Sequence, residues 1–116
     1  SYIENAEGYG LTREGMRWFI GQYLRTLADA TDPHVSPIRA ANHSGLPPAF
    51  VLTAQYDPLR DEGEQYAAKL IAAGVPTQLK RYDGMNHGFF FWYDRIDTTR
   101  TAMTDACVWL KARLTP

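Results

Sequence analysis

A single cysteine, Cys107, is all the thiol that 116 residues contain, so no internal disulfide can form. The expected role of Cys107 is that of a small buried hydrophobe rather than a redox centre. Charge of one sign is lacking too: 12 Lys and Arg against 13 Asp and Glu leave a formal net charge of -1. That balance excludes the basic surface a nucleic-acid partner needs. There is no run of about 18 apolar residues, which excludes a membrane-spanning helix, and no signal peptide or lipidation signal is visible. Compartment stays open on these grounds, with the cytoplasm favoured. Metal sets such as H-E-x-x-H or paired cysteines are missing, and so is a phosphate-cradling glycine loop, so neither a metal nor another cofactor is expected. The numbering opens on Ser1 rather than Met, and the true N-terminus is expected upstream.

What is present reads as one globular unit. Residues 1–11 show neither a helical nor a strand period and read as an irregular connection. From Thr12, a good N-cap, the positions Met16, Phe19, Ile20, Tyr23 and Leu27 follow the three-and-four spacing of one helical face. Asp32-Pro33, Ser36-Pro37 and Gly45-Leu46-Pro47-Pro48 then break the chain into ordered loop. The stretch 49–54, AFVLTA, is continuously apolar, as a strand covered on both faces of a parallel sheet must be. Asp61 with Glu64 three residues on is expected to cap the next helix. Tyr66, Ala67, Leu70 and Ile71 are expected to form its buried stripe, and Gly74 to end it. Residues 77–82 read as a strand of mixed polarity, best placed at a sheet edge because of Gln78, Lys80 and Arg81. A closing helix is expected to bury Met103, Ala106, Cys107, Leu110 and Leu114.

Strand, helix and strand over 49–82 make a βαβ unit of parallel sense, hence an α/β fold. A central-type strand needs neighbours on both sides, and one clear further strand is offered, so the sheet is expected to continue in residues outside these 116. Ligand and catalytic sites of open α/β sheets collect at the carboxyl ends of the strands. Two loops lie there, 56–62 with Asp57 and 84–89 with His87. A carboxylate past one strand and an imidazole past the next can meet, giving a base whose tautomer is fixed by an acid. A capping or packing role for either residue is the competing reading.

The segment Gly45-Leu46-Pro47-Pro48 through Tyr56-Asp57-Pro58-Leu59-Arg60-Asp61-Glu62-Gly63 resembles the penultimate strand and acid loop of the hormone-sensitive-lipase-like esterases, which have the α/β-hydrolase fold. Ala72-Ala73-Gly74-Val75-Pro76 and Tyr82-Asp83-Gly84-Met85-Asn86-His87-Gly88-Phe89 resemble their last strand and histidine loop. The likeness extends back through Glu4-Asn5-Ala6-Glu7-Gly8-Tyr9 and forward into the last helix. It implies that residues 1–116 are the C-terminal part of a single hydrolase domain, with 1–31 a loop and amphipathic helix and 49–116 the last two strands and helices. It makes Asp57 the acid and His87 the general base of a catalytic triad acting on a small carboxylic ester without a cofactor. Leu59, Gly88 and Phe89 become candidates for substrate contact. For the run Phe89 to Trp92, packing in the core is the stronger alternative to lining an acyl pocket. Related esterases often dimerise through their last strand, so 77–82 is a candidate homodimer edge.

Asp61 and Glu62 belong to the helix start, while His34 and His43 sit in Pro-bounded loops and are expected to be solvated. The nucleophile elbow G-x-S-x-G and the H-G-G-G oxyanion loop that the family carries are absent from these 116 residues. Ser1, Ser36 and Ser44 occupy turns or loops rather than an elbow. The expected partner is therefore the N-terminal part of the hydrolase domain, supplying the serine. An inactive piece, or an association module that folds without that part, is the alternative.

Overall fold

A computed structural model describes residues 1–114. The Thr12 hydroxyl accepts from Gly15 N at 2.9 Å and starts helix α1, Arg13–Tyr23, as its sequence predicts. Phe19, Ile20 and Tyr23 on its apolar face remain exposed, bordering an open groove of about 960 Å³. Leu27 falls beyond the helix, in the first of two short 3-10 turns at Leu27–Thr31 and Pro37–Arg39. His43 corrects expectation. It is buried, its Nε2 lies 3.0 Å from the Pro37 carbonyl oxygen, and its ring meets Tyr66 edge-on. A carbonyl only accepts, so this nitrogen carries the ring proton.

Strand β1, Ala49–Tyr56, is followed by helix α2, Arg60–Ala72, and strand β2, Thr77–Asn86. The strands pair in parallel, as the βαβ reading requires. After the 3-10 turn Phe89–Phe91, helix α3, Asp97–Leu114, closes the chain. Alternation along β1 puts the two long helices on opposite faces. Thr53 donates to Glu64 of α2 at 3.1 Å, whereas Phe50 stacks on Trp109 of α3 with centroids 5.9 Å apart. Between sheet and α3 lies a small core of Ala54, Tyr82, Phe89 and Ala102, flanked by Leu52, Met85 and Phe90.

Polar ties fix both helices. Asp105 of α3 accepts from Lys80 at 2.5 Å and from the Tyr82 hydroxyl at 2.7 Å. Its pKa falls below the ordinary carboxylate value, chiefly through the Lys80 bond and then the Tyr82 bond, while burial pushes Tyr82 upward. On the α2 side Glu64 takes two bonds from Arg81, at 2.7 and 2.6 Å.

Several details differ from expectation. Helix α2 begins one residue before Asp61, with Leu59 at its N-cap, so Asp61 caps nothing. Its carboxylate instead binds Arg60 at 2.9 Å and the backbone nitrogen of Ser1. Ala67 and Leu70 are buried as read, but Ile71 is exposed. Helix α3 buries Thr99 and Ala102, leaving Cys107, Leu110 and Leu114 exposed. The α3 face that meets the Phe89 turn is instead that of Thr99 and Ala102, the Thr99 hydroxyl donating to the Phe89 carbonyl at 2.9 Å. Strand β2 also runs four residues past the predicted end. Among the described residues the sheet has two strands, so β1 and β2 each keep one edge without a strand partner.

Candidate active site

The register of the two strands sets the site. Ala54 faces Tyr82, yet Tyr56, two residues on, faces Asn86, four residues on. The two extra residues of β2 are taken up around Gly84, whose φ of +75° suits a residue without Cβ. Gly84 N donates to the Gln55 side-chain oxygen at 2.7 Å, holding the bulge against β1. With an unbroken register His87 would lie two residues further along the sheet than the partner of Asp57, about 6–7 Å. With the bulge, Asp57 and His87 leave the sheet side by side.

They meet there. His87 Nδ1 lies 2.8 Å from Asp57 Oδ2, and the other carboxylate oxygen accepts from Leu59 N at 2.8 Å. A carboxylate can only accept in such a bond, so Nδ1 carries a proton and Nε2 is the nitrogen left to take one. The Asp57 side chain is 14% exposed and that of His87 45% exposed, so the acid is sheltered and the base is open. Gly88 follows with φ +77°, in the left-handed region, turning the chain directly after the imidazole.

Of the other predicted site residues, Leu59 lies in the acid loop and lines the groove beside α1 together with Met16, Phe19 and Tyr66. Phe89 is 3% exposed and belongs to the core, which corrects its reading as a substrate contact. Phe91 and Trp92 project outward. Glu62 lines the same groove. Loss of hydration, and then the charge of Asp57, raise its pKa above the ordinary value. His34 is exposed and bonds Asp32 at 2.9 Å, away from the pair. The Ser1 hydroxyl donates to the Pro58 carbonyl and accepts from Asp61 N, so it is held in the loop backbone. No group of His, Cys, Asp and Glu among the described residues is arranged to hold a metal.

Sequence reasoning missed three contributors. Asn5 donates to the carbonyl oxygens of Gln55 at 3.1 Å and Asp57 at 3.2 Å, Gln55 holds the bulge, and Asn86 donates to the Tyr9 carbonyl at 3.1 Å. Tyr9 in turn stacks on Tyr56, with centroids 4.6 Å apart. None of these contacts has a periodic signature. The one signal for them is the family resemblance, whose segments include Asn5, Gln55 and Asn86.

A family model described as the alpha/beta hydrolase fold matches residues 1–91. The chain belongs to the α/β-hydrolase family. Its relatives place it among the hormone-sensitive-lipase-like esterases of that superfamily. It is 47% identical over 83 residues to carboxylic ester hydrolase LipN of Mycobacterium tuberculosis, a match covering 71% of this chain and 22% of that protein. To an arylesterase of Saccharolobus solfataricus it is 47% identical over 70 residues, covering 60% of this chain and 23% of the relative. Among solved structures it superposes on EstE1, a thermostable carboxylesterase from a metagenomic library, with a TM-score of 0.95 and 44% identity; 99% of this chain and 40% of EstE1 are covered. The chain thus spans roughly a quarter of the curated relatives' length and well under half of the solved one.

Proposed function

We propose that these residues are the C-terminal part of a single hydrolase domain that cleaves carboxylic esters through a Ser-His-Asp triad, with Asp57 as acid and His87 as base. The observation that supports this most is the 2.8 Å contact between His87 Nδ1 and Asp57 Oδ2, which leaves Nε2 on the open side. A serine from outside these 116 residues attacks the ester carbonyl, and Nε2 takes its proton. Asp57 stabilises the imidazolium without being protonated itself. The imidazolium then protonates the departing alcohol, and in the second half-reaction His87 draws a proton from water as it attacks the acyl-enzyme and passes it to the serine oxygen as the acyl bond breaks, releasing the acid. No cofactor enters this sequence.

Leu59, whose backbone N–H binds the Asp57 carboxylate, and Gly88, which turns the chain directly after His87, flank the pair and are the candidates for substrate contact. Partners beyond the substrate are the N-terminal part of the domain and, through the outer edge of β2, a second copy. A cytoplasmic location fits the exposed thiol of Cys107, which an oxidising compartment would leave open to intermolecular pairing. A fluorophosphonate probe tests the reading: the complete protein should be labelled at one serine, and His87→Ala should slow labelling by orders of magnitude. Equal labelling of both would refute it.

A further inference from the structure

We propose, resting on the triad reading above, that Asn5 is a positioning residue for the catalytic acid. Its side chain is 2% exposed, among the most deeply buried polar groups of the chain. One amide nitrogen spans the carbonyls of Gln55 and Asp57, two residues apart at the point where β1 leaves the sheet. Those carbonyls lie beyond the regular register, since β1 and β2 fall out of step between Ala54 and Tyr56. Arg60 also donates to them, its guanidinium to the Gln55 oxygen at 2.8 Å and its backbone N–H to the Asp57 oxygen at 3.2 Å, and Asn5 adds the tie from both carbonyls to a segment fifty residues away.

A second contact from the same leading segment supports this role. The Tyr9 carbonyl accepts from Asn86, the residue next to His87, while the Tyr9 ring lies flat on Tyr56, the residue next to Asp57. Residues 5–9 thus hold the acid loop through Asn5 and the base loop through Tyr9, and the separation of the two loops is set from outside the sheet. Asn5 touches neither substrate nor imidazole. It acts through the main chain of Asp57, whose carboxylate must fall within hydrogen-bond distance of Nδ1 while its other oxygen stays on Leu59 N.

The chemistry of the contact selects the test. An aspartate at position 5 has the same shape as asparagine but offers only acceptors to two carbonyl oxygens, whereas a serine can donate to one of them. The complete hydrolase is assayed on a p-nitrophenyl ester as wild type, Asn5→Asp, Asn5→Ser, Asp57→Asn and His87→Ala. Tm and the NMR signal of the His87 Nδ1 proton are recorded for each. Displacement of a catalytic group by about 1 Å can cost on the order of a hundredfold in rate. Asn5→Asp should therefore lower kcat by about ten- to a hundredfold with KM within about twofold, and should shift or broaden the Nδ1 proton signal. Asn5→Ser should fall between it and wild type. If Asn5→Asp does not fold, Asn5→Ser carries the same readouts. If neither folds, Asn5 is a folding residue and the proposal is wrong. It is also overturned if folded variants keep wild-type kcat and an unchanged Nδ1 signal while Asp57→Asn and His87→Ala are crippled. If those two retain full activity, the triad reading itself has failed.

Discussion

Asp57 divides its carboxylate between His87 Nδ1 and the backbone N–H of Leu59, each at 2.8 Å. The Leu59 bond fixes the rotation of the carboxylate, so the oxygen left over points at the imidazole. Asp57→Asn puts an amide in this geometry, and an amide nitrogen facing Nδ1 favours the wrong tautomer. In the complete enzyme, kcat on a p-nitrophenyl ester should fall by about a thousandfold or more, with KM little changed. Thermal unfolding should stay close to wild type, because the loop rather than the core is altered.

The chain by itself should show no triad-dependent turnover. Its described serines lack an elbow: Ser1 is held by Pro58 and Asp61, and the Ser44 backbone is tied to Asn42 in a tight turn. Purified chain assayed beside its His87→Ala variant should give the same background rate. Hydrolysis abolished by that substitution would contradict the expectation.

How much of this was readable depends on the range of the interactions. The strand at 49–54, helix α1 with its Thr12 cap, and the placement of Asp57 and His87 after consecutive strands all rest on local pattern, and the structure has them. What pattern could not supply is pairing across distance. The bulge at Gly84 extends β2 beyond its expected end and brings His87 level with Asp57, yet it depends on Gln55, nearly thirty residues earlier. Sequence pattern leaves His43 solvated because its partner, the Pro37 carbonyl, is backbone and makes no mark in side-chain pattern. The buried face of α3 differs from its apolar stripe for a related reason. Leucines and Cys107 mark an apolar stripe, whereas the buried positions are Ala102 and Thr99, the latter held by a bond to the backbone of Phe89.

Two carboxylates on α2 should respond to acid in opposite ways. The pKa of Glu64 is lowered, first by its bonds from Arg81. Its contribution is thus fully present above the unfolded value of 4.5 and is lost as pH falls through the lower folded value. Glu64→Gln should be less stable than wild type at neutral pH, the gap narrowing in acid. Glu62 has a raised pKa, so its charged form opposes folding once pH passes 4.5. Glu62→Gln should therefore gain stability at neutral pH, and the gain should vanish below that value. Urea unfolding of the chain at a series of pH values from 3 to 7 measures both.

The outer edge of β2 is the candidate dimer contact, although Lys80 and Arg81 disfavour indiscriminate pairing there. Sedimentation of the complete enzyme should show a dimer that Leu79→Pro weakens, since the parallel register fixed by Ala49 N on the Pro76 carbonyl turns the Leu79 N–H to the outer edge and proline removes that donor. A dimer untouched by that substitution would exclude the edge.

The central claim is that His87 is the base, and comparison of the three histidines tests it most directly. In the complete enzyme His87→Ala should lower kcat by about a thousandfold or more. His34→Ala should leave kcat unchanged, as its ring is exposed and bound only to Asp32. His43→Ala should lower stability, by about 1–3 kcal/mol for the Pro37 carbonyl left unpaired, without a comparable loss of kcat. His87→Ala retaining more than about a tenth of wild-type kcat, with His34→Ala or His43→Ala inactive though folded, would contradict the account.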